Sequence, residues 1–552
     1  MQGLRPGGKP NLTPKITKPT FVTRGTISGF FLVAVWGWIF VDMDLVSVFA
    51  GLDDINNLID YMLPPSFADW ERALKLTLET FWIAVLGTFI ALVLSVPLAF
   101  MAARNTTPHP AVYALARGVI VFSRAVPDLV FALIFVRALG IGVLPGILAL
   151  AFHSIGMVGK LLADAIEQTD PAPREAVNSV GATSLQSIIA TIVPQITPAF
   201  ISVALFRLDI NLRSSTVLGL VGAGGVGLLL KERLGRLDYS EALGVVAIIF
   251  GFILAMELLS AAVRSILLKQ EGDSKNHNSG ADAVGEPAVR ANPRILPPWT
   301  RMRLITNGYG YFFMGLILAG FVSVQVDFLE LLGSFGEIFT FTLRMFPPDF
   351  ASAWPQIVQG ITETLAIAAV STVLGSLISI PLGFLAAANV TVNKLVYGIT
   401  RVILVIIRGI PELILAIVFV AATGLGPVAG IFALSIGTAG FLAKLLADAI
   451  EEINPAPREA VRATGATRFQ ELFVSVLPQV MPALIGQLLY TFDINIRSSA
   501  ILGIVGGGGI GFLLFNSLKV LRFDTTGAII LAIFIIVYLI EILAGYVRKQ
   551  VI

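Results

Sequence analysis

The chain has 552 residues, 56% of them apolar and 13% charged, and its 38 basic and 36 acidic side chains leave a formal charge of +2. A soluble domain carries about 25% charged residues, so this composition describes a membrane protein, and the near-neutral balance excludes nucleic-acid binding through bulk positive charge. With no Cys and three His, the chain has no disulfide frame, no Cys nucleophile and little material for a metal centre.

From the N-terminus, Arg5, Lys9, Lys15, Lys18 and Arg24 precede a long apolar stretch without a small-residue cleavage site, which reads as an uncleaved first span. At about 20 apolar residues per crossing, six candidate spans follow in each half. The first six lie near 27–48, 76–102, 114–138, 143–166, 195–221 and 242–266. The second six lie near 308–326, 361–387, 398–422, 427–449, 479–505 and 526–547.

The two halves are one unit written twice. At a constant offset of 284 residues, Lys160–Glu167 returns as Lys444–Glu451, Pro171–Val177 as Pro455–Val461, and Gly181-Ala-Thr183 as Gly465-Ala-Thr467. The reading is therefore a first unit over 1–270, a polar linker over 271–305 with too few apolar residues to order itself, and a second unit over 306–552. Six spans per copy make parallel repeats about a pseudo-twofold axis along the membrane normal. The basic N-terminal arm carries no acid, whereas Asp53, Asp54, Asp60 and Asp69 follow the first span, and Asp327, Glu330, Glu337 and Asp349 follow its counterpart. This asymmetry puts the termini and the linker in the cytosol, although Lys231, Arg233 and Arg236 then fall outside, diluted by Glu232 and Asp238.

The loops at 167–195 and 451–479, between the fourth and fifth spans, carry the densest signals. Asp170-Pro171 is an N-cap followed by Pro at the first helical position, with Glu175 near the positive end of the helix dipole. Gly181 ends this short helix, and the capping box Thr183-x-x-Gln186 starts a second one, expected to run to Pro194. Asn454-Pro455, Glu459, Gly465, Thr467-x-x-Gln470 and Pro478 repeat each device. The expected product is a bent pair of helices, an elbow, projecting into the cytosol. Its apolar Val177, Leu185, Ile188 and Ile189 are more than a connector needs, so a partner protein is expected to cover them.

Glu175-Ala176, Gly181 and Pro194, with Glu459-Ala460, Gly465 and Pro478, resemble the EAA loop of bacterial ABC importer permeases. The wider context, Phe206 to Gly227 and Phe492 to Gly511, is similar to the phosphonate-type permeases. The resemblance spans both halves except the N-terminal arm and the linker. It implies that these eight residues form coupling helices seated in grooves of two copies of a cytoplasmic ATPase. It also implies a periplasmic or lipid-anchored substrate-binding protein, location in the bacterial inner membrane, and a cargo of phosphonate, phosphite, hypophosphite or phosphate. The family usually supplies two chains or two copies of one chain; here the two units are fused.

Asp209 with Arg213, and Asp493 with Arg497, stand four apart and share a helix face within predicted spans. Ion pairing is the plain reading for the Asp residues, whereas the Arg residues are candidates to line an anion pathway. Arg124 and Arg408, each three residues before a Pro, are further candidates or mark kinks, and Asp128 and Glu412 after those prolines are possible partners. His153 aligns with Gly437, which favours packing over proton relay. Gly222, Gly224, Gly225 and Gly227, with Gly506, Gly508, Gly509 and Gly511, fit G-x-G-x-x-G. They lie between spans, not after a strand in a βαβ unit, so a dinucleotide site is rejected. Close packing or gating near the outer mouth are the two remaining readings.

These features predict an all-α transmembrane protein of two tandem six-helix units enclosing one pathway, surrounded by membrane lipid and working by alternating access. No G-x-x-x-x-G-K-[ST] phosphate loop occurs, so ATP and Mg are expected on partner subunits and no catalytic or metal residues on this chain. An ion-coupled secondary transporter of a small anion is the alternative, but it gives no reason for two capped elbows. A membrane-embedded enzyme lacks a convergent catalytic set.

Overall fold

The computed structural model describes residues 18–43, 57–278, 301–324 and 328–551, and the regular elements among them are all helices. The first copy runs α1 (Lys18–Phe40), α2 (Trp70–Ala102), α3 (Pro110–Ala125), α4 (Asp128–Leu139), α5 (Val143–Glu167), α6 (Ala172–Ser179), α7 (Ser184–Ser187), α8 (Val193–Leu218), α9 (Val226–Gly235) and α10 (Tyr239–Asn278). The second runs α11 (Arg301–Val324), α12 (Phe328–Leu343), α13 (Trp354–Ala386), α14 (Lys394–Gly409), α15 (Glu412–Thr423), α16 (Pro427–Glu451), α17 (Pro455–Ala463), α18 (Arg468–Glu471), α19 (Leu477–Leu502), α20 (Ile510–Lys519) and α21 (Phe523–Val551). Arg5, Lys9, Lys15, Asp53, Asp54, Asp327 and linker residues 279–300 lie outside the described residues, while 271–278 continue α10 as helix.

Eight described helices are long and apolar enough to cross a membrane, and each copy adds one bent pair. The spans expected near 27–48 and 308–326 are met in part by the apolar segments Ser28–Phe40 and Phe313–Val324. Two expectations change. The segment 114–138 is not one straight span, because α3 and α4 meet at 91°, and α14 and α15 at 80°. Pro127 and Pro411 start the second helix of each pair, and a proline drives the residue before it out of the helical region. Val126 (ψ 121°) and Ile410 (ψ 118°) are accordingly extended.

The helix started at Thr183 also does not stop at Pro194. It continues through a π-turn, Ile188–Ile192, into α8, making one apolar helix over Ser184–Val221; Arg468–Val505 does the same through Leu472–Val476. Pro194 has no N–H for the carbonyl of Ala190 and its ring crowds that oxygen. The preceding turn widens instead, and Val193 N–H donates to Ile188 O, five residues back. The proline relocates a hydrogen bond and leaves the helix intact.

Close packing is built on small residues. A Cβ on Gly87 would lie 2.8 Å from Leu150 Cβ, and one on Gly383 2.8 Å from Leu446 Cδ2. The described residues group into two compact units, one drawn from 51–354 and 516–534, the other from 1–50, 355–515 and 535–552. The repeat boundary along the chain is therefore not the packing boundary. In the second of these units α1 lies on second-copy helices, with Phe30 edge-on to Phe492 at 5.2 Å between ring centroids and Gly37 against Ala366 and Val370. In the first, α11 lies on first-copy α2, with Gly320 against Leu86 and Trp82. Each copy lends its first helix to the other's core.

This exchange predicts that a chain cut between Gly280 and Gly285 yields halves that copurify when coexpressed. Each half expressed alone should be degraded or aggregate, because its first helix has lost its apolar partner; a stable solitary half would contradict the exchange.

Candidate functional site

Each elbow is fastened at its base by hydrogen bonds between side chains and the main chain. In the first, the Asp170 side chain accepts from Ala172 N–H at 3.0 Å and Gln195 Oε1 accepts from Asp170 N–H at 2.9 Å. Arg174 donates to the carbonyl of Asn105 at 2.5 Å, and Asn105 Nδ2 donates to Ile166 O at 2.7 Å. The second elbow has the same tie from Arg458 to the carbonyl of Asn389, and from Asn389 to Ile450 O at 2.7 Å. Arg117 and Arg401 close the same corner by pairing with Glu167 at 3.0 Å and Glu451 at 2.8 Å. An arginine whose guanidinium holds loop carbonyls transmits force without needing a deep core.

The capping boxes form as expected, with Thr183 and Gln186, and Thr467 and Gln470, bonded reciprocally. Gly181 (φ +84°) and Gly465 (φ +81°) are left-handed, a conformation that costs other residues about 1–2 kcal/mol. Glu175, Ala176, Glu459 and Ala460 are exposed, as are Leu185 and Ile189 in the first elbow and Phe469 and Phe473 in the second. Pro194 and Pro478 sit immediately above the π-turns.

The eight glycines between the fifth and sixth spans divide by cause. Gly222, Gly224, Gly225, Gly506, Gly508 and Gly509 have φ between +76° and +98°. A Cβ on Gly227 or Gly511 would collide with the carbonyl oxygen of Thr216 or Ala500. Glu79 accepts from Gly225 N–H at 2.7 Å and Thr80 from Val226 N–H at 2.8 Å, while Glu363 accepts from Gly509 and Thr364 from Ile510 N–H at 2.9 Å. The loop is a folded, carboxylate-capped turn at the start of α9 or α20. At the other end of α9, Arg233 pairs with Asp69, with Glu241 at 2.9 Å and with Asp238 at 3.7 Å, and a hydrogen bond from Arg72 holds the Glu232 carboxyl below the usual range.

Arg213 meets two carboxylates, Asp209 at 3.5 Å and Glu257 of α10 at 3.6 Å. Arg497 meets Asp493 at 2.5 Å. Arg124 and Arg408 stand in the last turns before the bends, their stems running over Gly156 and Gly440. Asp128, in the first turn of α4, accepts from Leu129 N–H at 2.8 Å, and His153 Nδ1 lies 3.1 Å from Val126 O. In the second copy Glu412 occupies the space above Gly437, so a longer acid has replaced the Asp128 and His153 combination.

Sequence reasoning missed a buried polar joint. Asn211 donates to Thr88 at 2.8 Å and Ser154 at 3.1 Å; Asn495 donates to Thr372 and Thr438, both at 2.9 Å. In the first copy only, fully buried Arg207 donates to Ser154 at 2.7 Å. Asn211, Glu79 and Arg174 all recur at the 284-residue offset, a signal that could have flagged them.

Two predictions follow from this geometry. Pro194→Ala restores a donor and lets the π-turn close to a regular turn, swinging the elbow by about 100° about the helix axis. ATP-driven uptake should fall severalfold at unchanged membrane level, and spin-label distances from elbow to α5 should shift. Arg213→Gln strands two half-buried carboxylates and should lower the yield of folded protein in detergent. Arg213→Gln with Glu257→Gln should recover that yield, as measured by size-exclusion chromatography; no recovery would mean that ion pairing is not what Arg213 supplies to the fold.

A family model described as "Binding-protein-dependent transport system inner membrane component" matches residues 95–269 and again 379–552. The chain is 49% identical over 522 residues to the phosphate-import permease protein PhnE of Mycolicibacterium smegmatis, covering 94% of this chain and 93% of that protein. It is 40% identical over 239 residues to the phosphite transport system permease protein PtxC of Stutzerimonas stutzeri, covering 43% of this chain and 86% of that one. A putative cryptic phosphonate transport system permease protein, PhnE2 of Escherichia coli, is 45% identical over 118 residues, 21% of this chain and 97% of that protein. With the family matched twice in register with the repeat, the chain belongs to the binding-protein-dependent inner membrane components, the permeases of ABC importers, and carries the family's unit in two fused copies.

Proposed function

We propose that this chain forms the membrane pathway of an importer that draws inorganic phosphate, or a related oxyanion such as phosphonate, phosphite or hypophosphite, into the cytoplasm. The observation that carries this reading is the identity to a phosphate-import permease along 94% of the chain. In this reading two copies of an ABC ATPase, which bind ATP and Mg, dock on the two elbows. A periplasmic or lipid-anchored protein delivers the anion to the other face. The chain lies in the bacterial inner membrane with its termini and linker in the cytosol.

The exposed Glu175, Ala176, Glu459 and Ala460 are the contact residues, Gly181 and Gly465 give each elbow its bend, and Pro194 and Pro478 set its angle to the span. Arg213 and Arg497 are matched by carboxylates, so we assign them with Asp209 and Asp493 to the wall of the pathway. Arg124 and Arg408, at the bends, are assigned to anion passage. The capped glycine loops are the candidate gate, since three left-handed glycines per loop and the side chains that hold its amides define one folded turn and make its movement a discrete step.

Reconstitution with the ATPase and binding protein should give ATP-dependent uptake of radiolabelled phosphate, with phosphite and phosphonate competing in the order of the binding protein's affinities. Vesicles without ATPase subunits should show no uptake under an imposed ion gradient. Gradient-driven uptake by the chain alone, or ATP-driven uptake indifferent to all three competitors, would overturn the reading.

A further inference from the structure

The two elbows share a backbone but differ at their bases. In the first, position 187 is a buried Ser, and Asn178 and Ser184 stand nearby on the same hairpin. At the equivalent positions the second elbow has Glu471, Arg462 and Arg468. Glu471 is 3% exposed and is held by Arg458 and by Arg462, the latter at 3.2 Å. These groups line a pocket of about 600 Å³ whose wall also includes Arg468, Glu459 and Phe469.

Apart from Glu167 and Glu451, which pair with Arg117 and Arg401, the first elbow has Arg174 against Asp170 and Glu175, whereas the second has Arg458, Arg462 and Arg468 against Glu452, Glu459 and the internally consumed Glu471. The side chain of Arg462 remains 59% exposed after pairing, and Arg468 is exposed at the rim. Phe469 and Phe473, 75% and 63% exposed, replace Leu185 and Ile189 of the first elbow. Phe469, in the wall of the arginine pocket, sheds water on docking and strengthens an ion pair formed inside it. A partner with a protruding carboxylate complements this surface.

We propose that the second elbow, unlike the first, receives an Asp or Glu side chain of its docked ATPase subunit in the Arg458, Arg462 and Arg468 pocket, so that the two docking sites are chemically unequal. This rests on the docking role proposed above. If the two ATPase copies are identical, the same carboxylate meets arginines on one elbow and Asn178 and Ser184 on the other. The second elbow is then the tighter and more salt-sensitive dock. Glu471 fixes Arg458 and Arg462 before docking, so little of their side-chain entropy is lost on contact.

The chain has no Cys, so single reporters can be placed at equivalent exposed sites, Val180→Cys and Thr464→Cys, in the full chain in nanodiscs with its ATPase. Maleimide labelling is followed with and without ATPase at about 50 and about 300 mM salt, a change that shortens the screening length from roughly 14 to roughly 6 Å. ATPase should protect both sites. High salt should weaken protection at 464 about fivefold or more and at 180 less than about twofold. Arg468→Gln, which leaves the Glu471 pair intact, should abolish that difference, and Arg462→Gln with Arg468→Gln should lower protection at 464 alone. Equal salt responses at the two sites, or no effect of Arg468→Gln, would overturn the proposal. Absence of protection at both sites would instead overturn the docking reading itself.

Discussion

One unbroken helix links the part of each copy that meets the cytosolic machinery, in our reading, to the part that closes the pathway. Ser184–Val221 is 38 residues of continuous helix, about 57 Å long at roughly 1.5 Å per residue. It begins at the capping box and ends at the glycine loop. A hydrogen-bonded helix in lipid cannot bend at arbitrary points, because each opened backbone group would be unsatisfied. Displacement of the elbow therefore reaches the loop as rotation or translation of a rod. The π-turn is where the rod is locally wider, and there the Thr191 hydroxyl donates to Ser187 O at 2.7 Å.

The remaining contacts decide what the rod can drag. Arg174 and Asn105 tie the elbow to the end of α2 and the end of α5, so the elbow moves with the two helices that form the centre of its bundle. Asn211 then joins α8 to the same two helices at mid-depth through Thr88 and Ser154. Glu79 and Thr80 of α2 hold the first amides of α9 just after the glycine loop. Base, middle and far end of the rod are thus each bound to α2. In the reading proposed above, a push at the elbow therefore carries these helices together.

Local chemistry was legible in the sequence and long-range chemistry was not. The N-caps, the capping boxes and Gly181 depend on neighbours within a few residues, and they appear where spacing placed them. Pro194 was misjudged because the rule that proline ends a helix assumes an i−4 ladder, which a π-turn evades. Pro127 instead leaves Val126 extended, and its helix does break. Glu257 and Glu79 were overlooked for another reason. Each sits in a long apolar segment and finds its partner on a different helix, a pairing that periodicity does not encode.

Fusion of the copies matters because it lets equivalent positions diverge under different chemistry. Asn211 and Asn495, Glu79 and Glu363, and Arg174 and Arg458 are kept identical across the 284-residue offset, and each belongs to the rod's fastenings. The differences fall around them: Arg207 against Thr491, Asp128 with His153 against Glu412 with Gly437, Ser187 against Glu471. A buried arginine donating to neutral Ser154 and Met157 in one copy, and a hydroxyl in its place in the other, cannot impose the same local field. Two separate but identical subunits would have to carry such a charge twice or not at all. A single fused chain can carry it once, so its two halves can share a mechanical design while presenting unequal charge to the anion and to the partners that drive it.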